Sequence, residues 1–402
     1  MEAVCASKRT TTDTFEEVFV LLPSYCPNRE CPNHDQPSGS WYCRFGSYQT
    51  AAHGRVQRFR CRECGRTCSS QTESLHYYAK RRVPFFAVFR SLTAGSTMRE
   101  IARRYRLTPT TVANAVVRLG RQAMAAQLTL LHHLNPRTEV VFDGIRSFVT
   151  SQDYPCDLTT VVDRSGETIL TITHSVSSRG GSMTARQKER VAAKKAVWSP
   201  KKGSTRRAIS LSVREIWDYL RPSVATAAVI DTDEHPLYAR VMERDPVTRA
   251  FTLGGLLRHR RTPSTAPRTF INPLFPVNYV DRLIRHRVRE HMRETIAFGR
   301  NAVMQMHRMW IFAYDHNCTR AWRVKQPEKG PHAAQGSVDP SVVSTVNRQF
   351  FVRRIRPKGL AVPESIYEVW NGKTQTPPHR WKKGQAEKDW SIPGFARREL
   401  VA

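Results

Sequence analysis

The chain has 402 residues, 40% of them hydrophobic, and sets 64 Lys plus Arg against 34 Asp plus Glu for a formal charge of +30. That length exceeds one ordinary core and predicts two or three domains, while the charge predicts a polyanionic partner, nucleic acid ahead of an acidic membrane. No run of eighteen apolar residues exists and the first twelve residues lack an apolar leader core, so neither a membrane span nor secretion is expected and the expected location is cytoplasmic.

Residues 1–19 read as an N-terminal arm, followed by a small module over 20–75. Nine cysteines in so long a chain do not suit a disulfide scaffold, which small secreted domains build densely and in even number. Cys26 and Cys31 form one knuckle and Cys61 and Cys64 another. Two short loops that each present two thiolates are the simplest tetrahedral set for structural Zn²⁺. Cys43, Cys68 and His34 lie near enough in sequence to compete as ligands. Gly65 after the second pair suits a tight turn, and strand-like runs over 41–46 and 56–60 between the knuckles predict a zinc ribbon. Arg55, Arg58, Arg60, Arg62 and Arg66 around it are placed to meet phosphates. Cys5, Cys156 and Cys318 read as buried, inert thiols.

Residues 76–130 predict a helical DNA-binding domain. An apolar face runs over 85–92 and Gly95-Ser96 breaks it. Thr97 with Glu100 makes a capping box for a helix over 97–105, with Ile101, Ala102 and Tyr105 on its inner face. Thr108 then caps a second helix with Pro109 in its first turn and Val112, Ala113, Val116 and Leu119 as its stripe. This is a helix-turn-helix, whose second helix starts with the small polar residues Thr110, Thr111 and Asn114, suited to a major groove. Arg99 and Arg103 lie on the polar face, and Arg118 and Arg121 are expected toward the DNA backbone.

The period changes at 135. Runs over 139–149, 158–162, 168–173 and 225–233 read as strands of a mixed α/β sheet extending to 325, interrupted by a basic insertion over 178–210 that is helical in part. Carboxylates at strand ends, Asp143 and either Asp231 or Asp233, are what a two-metal phosphoryl-transfer site needs, with Mg²⁺ or Mn²⁺ as the cation. Asp163, beside Arg164-Ser165-Gly166, reads as a turn residue. A basic helix after 278 adds Asp281 as third acid, with Arg282, Arg285 and Arg289 as phosphate contacts, while Glu290 and Glu294 read as intrahelical partners of neighbouring arginines. Residues 326–402 read as a linker and C-terminal extension, with Trp370, Trp381 and Trp390 scattered in Pro-rich sequence.

Over 26–317 the sequence resembles DDE-type insertion-sequence transposases. Asp143-Gly144-Ile145-Arg146-Ser147-Phe148-Val149 is similar to their first catalytic motif, Asp233 with Tyr238 five positions on to the second, and Asp281-Arg282 followed by Arg293-Glu294-Thr295-Ile296-Ala297-Phe298 to the third. The third acid is usually Glu, so Asp281 departs from the pattern, and the resemblance leaves Glu290 or Glu294 as substitutes for it. The resemblance implies a ribonuclease-H-like catalytic domain with flanking helices behind the ribbon and helix-turn-helix. It also implies cleavage at mobile-element ends and joining to target DNA, with Asp143, Asp233 and Asp281 holding the ions. Double-stranded DNA and a homodimer or higher oligomer are the implied partners. A non-catalytic DNA-binding regulator and an inactive end-binding relative are the alternatives.

Overall fold

The computed structural model describes residues 21–292, 297–357, 359–378 and 392–397. The chain divides into two compact units, Met1–Arg82 and Val83–Ala402.

In the first unit a single turn, α1 (Pro32–Asp35), follows the first cysteine pair, and an antiparallel sheet in the order β1 (Tyr42–Thr50), β2 (Gly54–Cys61), β3 (Thr67–Ser69) follows. So small a module has little apolar surface to bury. Val56 and Phe59 supply part of its core, and Trp41 packs with Cys26, Cys31 and Cys61.

The second unit begins with α2 (Phe85–Thr93), α3 (Met98–Arg104) and α4 (Pro109–His132). The caps form, though not the full box: the Thr97 hydroxyl accepts from the Glu100 N–H while the Glu100 carboxylate pairs with Arg103, and Thr108 accepts from Thr111 with Pro109 in the first turn. α4, however, runs for 24 residues and is buried on nearly all sides from Ala115 to Leu128, the signature of a helix inside a core rather than on a surface. Its second half packs on α10 (below), and the Gln127 amide donates to the Ile169 and Leu170 carbonyls of the sheet. The helices expected as a separate domain over 76–130 thus share a compact unit with the sheet.

That sheet contains β4 (Glu139–Phe148), β5 (Pro155–Asp163), β6 (Ile169–Val176), β7 (Ala228–Asp233) and β8 (Leu257–Thr262) in the order β6-β5-β4-β7-β8. β5 is antiparallel to both neighbours, while β4, β7 and β8 run parallel. Parallel neighbours need a crossover. α5 (Ala185–Val197) and α6 (Ser204–Ile216) lead into β7, and α7 (Pro236–Arg244) and α8 (Pro246–Leu253) lead into β8. Side chains alternate across the sheet. Val140 and Phe142 of β4 join Ile209, Val213, Ile216 and Tyr238 in one cluster, so Asp143 projects to the other face. There α9 (Phe275–Arg287) lies against β4 and β5, and α10 (Ala302–Tyr314) packs between α4 and β6.

The expected basic insertion over 178–210 is only partly an insertion. α6 belongs to the core, whereas α5 is tied back through buried Asp153, which accepts from Arg190 and Lys194.

The stretch after 325 also differs from the expected linker. β9 (Ala321–Arg323) and β10 (Gln326–Pro331) form a hairpin, α11 (Pro340–Phe350) packs on α4, and α12 (Glu364–Trp370) packs on α6, α10 and β6. Phe350 and Trp370 are buried, and buried Glu215 accepts both the N–H and the hydroxyl of Ser365. Trp381 and Trp390 lie outside the described residues. Among the described residues no helix is long and apolar enough to cross a membrane.

Candidate metal centres

The sulfurs of Cys26, Cys31, Cys61 and Cys64 all lie within 4.8 Å of one another. Cys26 and Cys64 are 3.4 Å apart and Cys31 and Cys61 3.8 Å. A disulfide would hold its sulfurs at about 2.05 Å, whereas four thiolates around one ion with Zn–S of about 2.3 Å stand roughly 3.8 Å apart. The four cysteines are therefore close enough to bind one metal ion, and their spacing suits structural zinc. Gly65 makes the turn possible: it takes φ +69°, a left-handed conformation, and its N–H reaches the Cys61 carbonyl. The Cys64 thiol is lowered to about 7 mainly by the Arg66 N–H, while burial raises those of Cys26 and Cys31. The competing residues stand apart. His34 Nδ1 bonds the Cys26 carbonyl at 2.7 Å, and neither Cys43 nor Cys68 joins the group.

A second candidate site holds aspartates. β4 and β7 pair in parallel with Val141 opposite Asp231, so Asp143, mid-way along β4, and Asp233, at the end of β7, lie on neighbouring strands on the same face. α9, packed across β4 and β5, contributes Asp281. All three are half-buried. Burial raises the Asp143 carboxyl to about 6 against the Gly144 N–H that lowers it, and the negative charge of Asp233 adds to the rise. Asp281 is raised well above the usual range by burial and then by Asp143, with Arg285 and Arg268 pulling the other way. Asp143 thus couples to both other acids. Tyr238 at the start of α7 feels all three charges, and its buried phenol stays neutral.

The trio is not a compact single-ion site. Among the described residues only the four cysteines bring three or more His, Cys, Asp or Glu ligand atoms within 4.8 Å of one another.

Asp231 has another task. It is fully buried and paired with Arg260 at 2.5 Å and Arg164 at 2.8 Å. Those contacts engage both Asp231 oxygens, whereas Asp233 accepts the His235 N–H through Oδ1. Glu290, a substitute for the third acid, is buried against Arg308 at 3.1 Å. Glu294, with Arg293, Thr295 and Ile296 of its motif, lies outside the described residues. Asp163 is a turn residue, as expected, accepting from Ser165 and the Gly166 N–H.

Of the arginines expected to meet DNA, Arg99, Arg103, Arg282 and Arg289 are exposed and Arg285 is half-buried. Thr110 is exposed, Thr111 and Asn114 half-buried. Arg118 is a correction. It is buried, and its guanidinium lies 3.8 Å from the centre of the Phe395 ring. Arg121 is buried too, donating to the Trp370 carbonyl. Both sit where α4 has entered the core, one turn beyond the residues able to face a groove. Arg268, in the 263–274 loop, escaped the sequence reading. It touches the acids electrostatically, but no motif or helical period marks it.

Against known proteins, no family model matches the chain and no curated protein matches it in sequence.

Proposed function

We propose that this chain is a DDE-type DNA transposase, with a zinc ribbon and helix-turn-helix that bind element ends and a ribonuclease-H-like sheet that cuts and joins them. What supports the reading is that Asp143 and Asp233 lie on the adjacent parallel strands β4 and β7, that Asp233 bears electrostatically on Asp143 and Asp143 on Asp281, and that the chain carries a net charge of +30. Carboxylates that raise one another in this way suit a bound cation. The donor set fits Mg²⁺ or Mn²⁺: hard carboxylate oxygens, with Asp281 Oδ1 buried and without a hydrogen-bond partner among the described residues. Asp143 would be the shared ligand, with Asp233 and Asp281 on either side.

Divalent cations held there supply Lewis-acid activation of an attacking oxygen and stabilisation of the leaving one. The protein's own groups do the rest. Exposed Arg282 and Arg289 on and just after α9 hold the phosphodiester backbone, and Arg285, whose guanidinium donates to the Arg146 carbonyl, stays beside the acids. Neutral Tyr238 closes the strand ends, its hydroxyl 3.6 Å from where a Cβ on Gly144 would lie. Two ends meeting in one complex would need a homodimer or larger assembly.

The test supplies labelled duplexes with free 3′-hydroxyls, cut from DNA flanking the coding gene, and a supercoiled plasmid with Mg²⁺ or Mn²⁺. The reading predicts label joined covalently to plasmid by the native chain and none by Asp143→Asn, with duplex binding retained by both. Binding without joining by the native chain would leave a regulator or an inactive relative.

A further inference from the structure

The β9–β10 hairpin, the 263–274 loop and the outer face of α9 enclose an open groove of about 330 Å³, within the range of small-ligand sites. Its walls include the rings of Phe270, Tyr279 and Trp322 and the guanidiniums of Arg282, Arg320 and Arg323, and no acidic side chain lines it. Tyr279 and Arg282 are three residues apart on α9 and so share a face. The groove therefore lies on the same helix as Asp281.

Phe270 is 80% exposed, while Tyr279 and Trp322 are half-buried. Cations already sit against the π faces: Arg323 lies 4.0 Å from the centre of the Trp322 ring and Arg282 5.5 Å from that of Tyr279. Arg323 is steered by its pair with Glu167 at 2.7 Å, which fixes one wall. Trp322 Nε1 and Arg320 Nη1 have no hydrogen-bond partner among the described residues.

We infer that this groove binds one unpaired nucleotide of a DNA strand, its base stacked against Trp322 and Phe270 and its phosphate held by Arg282 and Arg320. Aromatic faces beside guanidiniums match a ligand with both a π surface and a negative charge. An apolar peptide would leave the guanidiniums without partners. Paired bases inside a duplex expose no face, so the groove selects bases that have left the stack. The inference rests on the reading that the chain handles DNA, and it adds a nucleotide subsite on the helix that carries Asp281.

The test needs no catalysis. Full-length, zinc-loaded protein without added Mg²⁺ or Mn²⁺ is titrated into two duplexes, one fully paired and one with a single bulged 2-aminopurine. The native chain is expected to bind the bulged duplex about tenfold more tightly, in line with the stacking of one base, and to change the 2-aminopurine fluorescence. Trp322→Ala and Phe270→Ala should each reduce that preference while keeping affinity for the paired duplex, and Trp322→Phe should restore it. Phe270, being so exposed, keeps the test valid if the Trp322 variant does not fold. Equal affinity of the native chain for both duplexes, no affinity for either, or a preference untouched by Phe270→Ala would overturn the inference. The preference could survive a failure of strand joining, which separates this site from the transposase reading.

Discussion

Asp231 is held in the sheet interior by Arg164 and Arg260, while Asp233, two residues on, stands half-exposed at the strand end. Removing both arginines leaves a buried, unpaired carboxylate, which costs about 3–5 kcal/mol; urea unfolding of the double variant Arg164→Ala/Arg260→Ala should show that loss. Asp233→Asn should leave the urea midpoint nearly unmoved and abolish joining. Asp143 gives a pH-dependent test. Its carboxyl in the fold is raised to about 6, above its ordinary 3.8, so the folded state binds a proton that the unfolded chain has lost between those values. The ionised carboxylate therefore works against folding at neutral pH, and this penalty fades as pH falls through 6 toward 4. In EDTA at pH 7.5, Asp143→Asn should melt above the native chain by a margin on the order of 2 kcal/mol, a margin that shrinks by pH 4. Sequence marked Asp143 and Asp281 by the short motifs around them, but it placed them at a strand end and a helix head, whereas Asp143 lies mid-way along β4 and Asp281 mid-way along α9. It could not separate Asp231 from Asp233, because that choice depends on Arg164 and Arg260, which approach from a turn and an edge strand far away in the chain.

At the scale of elements, caps and turns were the most readable features. Thr97, Thr108, Pro109 and Gly65 act on neighbours within four residues, and each does what its type predicts. The length of α4 was not readable, since Arg118, Arg121 and Gln122 interrupt its apolar pattern and find partners only in the C-terminal segment. The same long-range dependence hid α11 and α12 in a stretch that looked like a linker. Gly120 marks where α4 crosses α10: a Cβ there would meet His307 atoms at 2.5–2.9 Å. Gly120→Ala should therefore destabilise by about 1–3 kcal/mol despite alanine's better helix propensity, measured by thermal melting. The first unit depends on its cysteines. One zinc per chain is expected by elemental analysis, and a strong chelator should remove the structure of residues 21–82 while leaving the melting of the larger unit in place.

For the whole molecule, the charge of +30 predicts DNA binding that weakens steeply with salt. Each phosphate contact adds about 0.9 to the slope of log affinity against log salt. Arg99→Ala and Arg289→Ala should each reduce the slope by roughly that amount, measured by fluorescence anisotropy. Arg118→Ala should leave the slope unchanged and lower the melting temperature, because its guanidinium packs inside the protein. The most direct measurement of the central claim is a count of Mn²⁺ bound by the zinc-loaded chain, read by electron paramagnetic resonance. Two spin-coupled ions in the native chain, and loss of that coupling in Asp143→Asn, are predicted. A native chain that binds no Mn²⁺, or binds it equally well after Asp143→Asn, would contradict the account.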